Sequence, residues 1–264
     1  MAFDKYVERY NREYLADCIK NGELIGDEFS FKMIDKTGDP NGYTVKYNIK
    51  TGFVTRVDNN TGKSVEFGHP DKSIDARGYL TIEICVPYDV DTHEFTNPKN
   101  FYTVIVPGRP NLKAIASVQY TCYIHYIGSI IKRHLDGENL LVGGVCNHKD
   151  GCKFHNWLDN LEDSSRHDNG LHGAVLQSMI HHGVDVCESK NKRHTFRHVK
   201  EGFSVNDVKD FMDTDKNIHD EILNCYLDLK DLNNIIANGN DVRWVSTDTI
   251  DEFKEYIKNK TENN

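Results

Sequence analysis

The chain has 264 residues, 38% of them hydrophobic and 28% charged, with a formal net charge of −9, the make-up of a soluble globular protein long enough to bury a real core. No apolar run reaches the roughly 18 residues of a membrane-spanning helix, and the N-terminus lacks the basic and apolar regions of a secretory leader, so a cytoplasmic, intracellular protein is expected. Seven cysteines (Cys18, Cys85, Cys122, Cys146, Cys152, Cys187, Cys225), odd in number and irregularly spaced, do not form a secreted disulfide framework and read mostly as small buried hydrophobes.

In chain order, Tyr6, Tyr10, Tyr14, Leu15 and Cys18 follow a helical spacing that Gly22 stops. Residues 42–106 read as β structure. Residues 43–49 alternate, Thr51-Gly52 turns them, and 53–57 run back to a turn at Asn59-Asn60-Thr61-Gly62. Residues 78–86 and 101–106 are further strands rich in β-branched and aromatic side chains, with a polar hairpin loop over 87–100. From 112 to 135 the apolar spacing of Ile115, Val118, Cys122, Tyr126, Ile130 and His134 predicts a helix that Gly137 ends. A short apolar strand over 140–145 leads into Cys146-Asn147-His148, then a Lys149-Asp150-Gly151 turn and a polar helix from near Leu171. Ser204-Val205-Asn206-Asp207 resembles a capping box opening a helix to Met212. A second helix is expected over 217–229, a strand over 241–246 and a last helix over 247–258. The expected organisation is α+β: an N-terminal antiparallel β region with a leading helix (1–110), a central module (111–200) and an acidic C-terminal helical unit (201–264).

Charge is unevenly spread. Residues 106–200 hold twelve Lys/Arg against nine Asp/Glu and ten of the thirteen histidines, whereas 201–264 hold seven against fifteen. The middle of the chain is therefore compatible with a phosphate backbone, and the acidity lies mainly behind it.

The segment 145–172 carries the chemistry. His148 follows an apolar strand and precedes a strong turn dipeptide, a rigid setting for a general base whose ordinary pKa lies near neutrality. Asn147, Asn156, Asn160 and Asn169, with Asp150, Asp159, Asp163 and Asp168, supply the hard oxygens that suit Mg²⁺.

Asn147-His148-Lys149-Asp150-Gly151, His155-Asn156, Asn160-Leu161 and Asn169 together resemble the pattern of the HNH nucleases, and within them the homing endonucleases encoded in phage introns. Gly78-Tyr79-Leu80-Thr81 resembles a Gly-Tyr-Leu segment of such proteins more weakly. The resemblance implies a ββα-metal fold and metal-dependent hydrolysis or nicking of double-stranded DNA. His148 would be the general base, Asn147 and Asn169 the ligands of Mg²⁺ or Mn²⁺, and Asn160 the residue bonding across the loop to hold His148. His172, one helix turn beyond Asn169, would contact phosphate, and a phage- or mobile-element origin would follow. This chain departs from the pattern in having Asp163-Ser164 after Asn-Leu-Glu and His155 where asparagine is common, with Cys146 and Cys152 flanking the turn.

Other readings stand beside this one. Lys149, Lys153 and Arg166, with the basic cluster Lys190, Lys192, Arg193, Arg197 and Lys200, are candidate DNA contacts or a solvated face. Cys146, Cys152, Cys187, His194 and His198 offer ligand types for a structural Zn²⁺, although no CxxC spacing occurs. The same scaffold without catalysis would be a DNA-binding or interaction protein.

Overall fold

A computed structural model describes residues 13–87, 100–106, 108–140, 144–181 and 186–208. It is a mixed α and β structure that divides into two compact units, one built from 1–143 and 154–161, the other from 144–153 and 162–264.

The first unit opens on helix α1 (13–20), which ends before Gly22 as its sequence predicts. Five strands follow, β1 (Glu23–Ile25), β2 (Glu28–Met33), β3 (Tyr43–Asn48), β4 (Val54–Asp58) and β5 (Ser64–Phe67), forming an antiparallel meander in chain order. Strict alternation gives β3 one buried face. Its Tyr43, Val45 and Tyr47 lie directly opposite Met33, Phe31 and Phe29 of β2, so all six apolar side chains bury as cross-strand pairs. A second sheet holds β6 (Thr81–Pro87), β7 (Asn100–Val106) and β8 (Arg109–Tyr123), with β8 in the middle. Ile82, Ile84 and Val86 of β6 face Cys122, Tyr120 and Val118 of β8, and all six are buried.

The expected helix over 112–135 is corrected here. Its first half belongs to β8, and helix α2 (Ile124–Leu135) begins only at Ile124. Ser117, Val118, Gln119 and Tyr120 are buried in succession, so this part of the strand shows no period of two. α2 buries Ile124, Ile127, Ile130 and Ile131, carries Lys132, Arg133 and His134 in its last turn where the helix dipole favours cations, and stops before Gly137. The segment 154–161 joins this unit through Leu158 N–H, which donates to the Ile49 carbonyl at 2.9 Å, and through the Tyr47 hydroxyl, which donates to the Asn156 carbonyl.

The second unit contains β9 (Val145–His148), paired with β10 (Leu161–Ser164), then helix α3 (Arg166–His181), the hairpin β11 (Val186–Lys190) with β12 (Thr195–Val199), and the start of a helix at 205–208. α3 packs on β9 and on β12 and buries Ala174, Val175, Leu176 and Met179. Two expectations shift. Of the strand expected over 140–145, residues 141–143 lie outside the described residues; the described strand is Val145–His148, so His148 is itself a strand residue. The helix expected from Leu171 starts at Arg166, because the Ser165 hydroxyl accepts the Asp168 N–H at 3.0 Å and caps it.

The helical start at Ser204 is present, with the Ser204 N–H and hydroxyl both donating to Asp207 Oδ2 at 2.8 and 2.9 Å. Strands β1, β2, β11 and β12 had not been anticipated. The expectations for residues 1–12, 88–99, 141–143 and beyond 208 lie outside the described residues. Among the described residues no helix is long and apolar enough to cross a membrane.

Candidate functional site

Strand β9 ends on Asn147 and His148, both buried. The chain then reverses: Gly151 N–H donates to the His148 carbonyl at 2.9 Å, and Cys152 N–H donates to Asp150 Oδ1 at 2.9 Å. Gly151 has φ of 79°, a backbone position that favours glycine, and a Cβ there would lie 3.0 Å from Leu176 Cδ1.

A second segment of the same unit clasps the turn. Val199 N–H donates to the Asp150 carbonyl at 3.2 Å and Phe203 N–H to the Lys149 carbonyl at 3.3 Å. Between them Gly202 passes so close that a Cβ would lie 2.6 Å from Lys149 Cβ and 2.7 Å from the Asp150 nitrogen. The backbone following His148 is thus held from its carbonyl side, and its position does not depend on the turn alone.

Asn147 points its amide at Glu162 of β10: Nδ2 donates to Glu162 Oε1 at 2.9 Å, and the same oxygen accepts the Val205 N–H at 2.9 Å. Asn169 stands in the first turn of α3, half-buried, its backbone N–H donating to the Ser165 carbonyl at 3.0 Å. Among the described residues its side-chain amide makes no hydrogen bond. Among the described residues the side-chain oxygens of Asn147 and Asn169, on neighbouring elements, thus accept no hydrogen bond. In the first unit, Asn160 is buried and its Nδ2 donates to the His155 carbonyl at 2.9 Å, closing the loop in which both lie.

His172 is corrected. The residue is only 1% exposed, and Nε2 donates to the Phe203 carbonyl at 2.8 Å, so it faces protein and not phosphate. Burial pushes its pKa below the ordinary histidine value, against the opposing pull of the Phe203 carbonyl and the Asp150 charge. It is a structural group that fastens α3 to the segment clasping the turn.

The basic candidates fall on the surface of this unit. Arg166, Lys192, Arg193 and Arg197 are exposed, and Lys149 and Lys153 half-exposed, the latter with its ammonium 5.6 Å from the centre of the Phe196 ring. Lys192 and Arg193 sit at the tip of the β11–β12 hairpin, where Asn191 Oδ1 accepts the N–H groups of Arg193 and His194, each at 2.7 Å. Arg197 stands opposite Glu188 on the exposed face.

Of the five residues considered for zinc, the structure draws Cys152 and His198 together, their ligand atoms within 4.8 Å. Cys187 is the backbone partner of His198 across the hairpin, Cys146 lies on β9, and His194 stacks on Phe196. His198 also meets Ser189 Oγ at 3.0 Å, its own strand's Val199 carbonyl at 2.9 Å and Asp150 Oδ2 at 3.9 Å.

The contacts of Glu162 and the clasp formed by residues 199–203 are features of the candidate site that the sequence did not show. Glu162 had a signal, following Asn160-Leu161 directly. The clasp had none, since its bonds run through backbone groups. Compared with protein-family models, curated proteins and solved structures, the chain matches none.

Proposed function

We propose that the chain is a metal-dependent DNA endonuclease with His148 as general base. The observation that carries this reading is the strand–loop–strand–helix run of β9, β10 and α3, with Asn147 and His148 closing β9 and Asn169 in the first turn of the helix packed on it.

The donor set fits Mg²⁺ or Mn²⁺. Asn147 turns its Nδ2 to Glu162, leaving Oδ1 for a ligand, and the Asn169 amide has no competing hydrogen bond among the described residues. Neutral amide oxygens suit a hard cation that keeps much of its water. Such an ion, when bound, would offset charge on the phosphate and on the departing 3′ oxygen.

The residues of the chain divide the remaining work. Asn147 and Asn169 would hold the cation, and His148 would take the proton of the attacking water. The clasped turn limits drift of His148, which matters because misplacement by about 1 Å lowers rates steeply. Asn160 keeps its loop closed. Arg166, Lys149 and Lys153, together with the basic tip of the hairpin, supply cations for the DNA backbone. An antiparallel two-stranded ribbon is also narrow enough to enter the major groove.

The test is a plasmid-nicking assay with Mg²⁺ or Mn²⁺, with and without EDTA. Metal-dependent conversion of supercoiled DNA by wild type, lost in His148→Ala, supports the enzyme. DNA binding without cleavage under any metal condition would leave a DNA-binding protein on the same scaffold.

A further inference from the structure

We propose that Glu162 is a positioning residue that fixes which end of the Asn147 amide faces the cation; the inference rests on the nuclease reading above. An asparagine side chain has one end that accepts and one that donates, and a half turn about its last bond exchanges them. Only the oxygen end binds a cation, so a free amide would present the wrong atom for part of the time. The carboxylate oxygen of Glu162 in this contact acts as an acceptor. With its Oε1 at 2.9 Å from Nδ2, the reversed amide would set two oxygens against each other, and Oδ1 is directed away from Glu162.

The carboxylate is itself held. Val205 N–H donates to the same Oε1 at 2.9 Å, and Val205 opens the helical turn capped by Ser204 and Asp207. Glu162 is thereby fixed from β9 on one side and from the segment after β12 on the other. A carboxylate behind a ligating amide also draws its N–H dipole and makes the opposite oxygen a better donor to a cation. No other side chain among the described residues hydrogen-bonds the Asn147 amide, so the orientation depends on this one contact.

The experiment compares the full chain as wild type, Glu162→Gln and Glu162→Met by Mn²⁺ titration followed by electron paramagnetic resonance, with thermal melts as the folding check. Glutamine keeps an accepting oxygen, whereas methionine keeps the length and has none. E162M should bind Mn²⁺ about tenfold more weakly than wild type, as removal of such supporting groups does in metal sites, and E162Q should retain most of the affinity. In metal-free wild type, the Asn147 side-chain N–H protons should exchange slowly and lose that protection in E162M.

Equal Mn²⁺ affinity in E162M and wild type overturns the inference and leaves the nuclease reading standing. A wild type that binds no Mn²⁺ overturns the nuclease reading and this inference with it. Should E162M fail to fold, the metal-free wild type decides, since rapidly exchanging Asn147 amide protons would overturn the inference alone.

Discussion

His148 and His172 stand 24 positions apart and do opposite kinds of work. The first carries the proposed proton transfer, and His148→Ala should lower cleavage by about 10²–10⁴-fold, the span typical of a lost general base, with the melting temperature little changed. Unaltered cleavage in that variant would remove His148 from the mechanism. His172 is held neutral by burial. Its folded pKa lies below its unfolded value of roughly 6.5, so the unfolded chain binds the extra proton as pH falls. The stability it contributes is full above that value and is lost as pH falls through the folded pKa. Thermal melts between pH 8 and pH 5 should show a steeper acid decline for wild type than for His172→Gln, whose amide still reaches the Phe203 carbonyl. Parallel declines would assign the acid sensitivity to other groups.

At the scale of elements, the turn after β9 is held by the left-handed backbone at Gly151 and by the bonds from Val199 and Phe203. Gly151→Ala forces a side chain into a left-handed backbone position and against Leu176, and should destabilise this unit by about 1–3 kcal/mol in chemical denaturation. Loss of the Ser165 hydroxyl in Ser165→Ala should cost about 1 kcal/mol and loosen the turn that carries Asn169. A substitution at Gly151 with no effect on the denaturation midpoint would show that the turn relaxes freely.

How far these elements were legible follows from the pattern of their burial. β3 was readable because one face is buried, giving the alternation of Tyr43, Val45 and Tyr47. The end of β8 was not, because four consecutive buried residues carry no period and their spacing also fits a helix. The start of α3 was hidden for another reason. Arg166-His167-Asp168-Asn169-Gly170 contains no apolar residue, so periodicity begins at Leu171, and Ser165 was the only sign of the true start. Within the site, the asparagine and histidine spacing was visible in the chain. Their support by Val199, Gly202, Phe203 and Val205 was not, because backbone hydrogen bonds leave no trace in side-chain identity.

Over the whole molecule, a net charge of −9 sits uneasily with the proposed DNA substrate. Local distribution decides, since phosphate contacts act over about a Debye length, and Lys192, Arg193 and Arg197 share one exposed hairpin. Replacing all three by glutamate should weaken binding to duplexes of any sequence. The slope of log affinity against log salt should become shallower by about one for each phosphate contact removed. An unchanged slope would move the DNA contact elsewhere on the molecule.

The most direct measurement is a crystal structure of the protein with Mn²⁺, located by its anomalous scattering. One peak is expected, bound by Asn147 Oδ1 and the Asn169 side-chain oxygen at roughly 2.0–2.3 Å, close to octahedral metal–oxygen distances, with a ring nitrogen of His148 facing a water beside it. A peak held only by Cys152 and His198, or asparagine side chains that diverge with no ion between them, would contradict it.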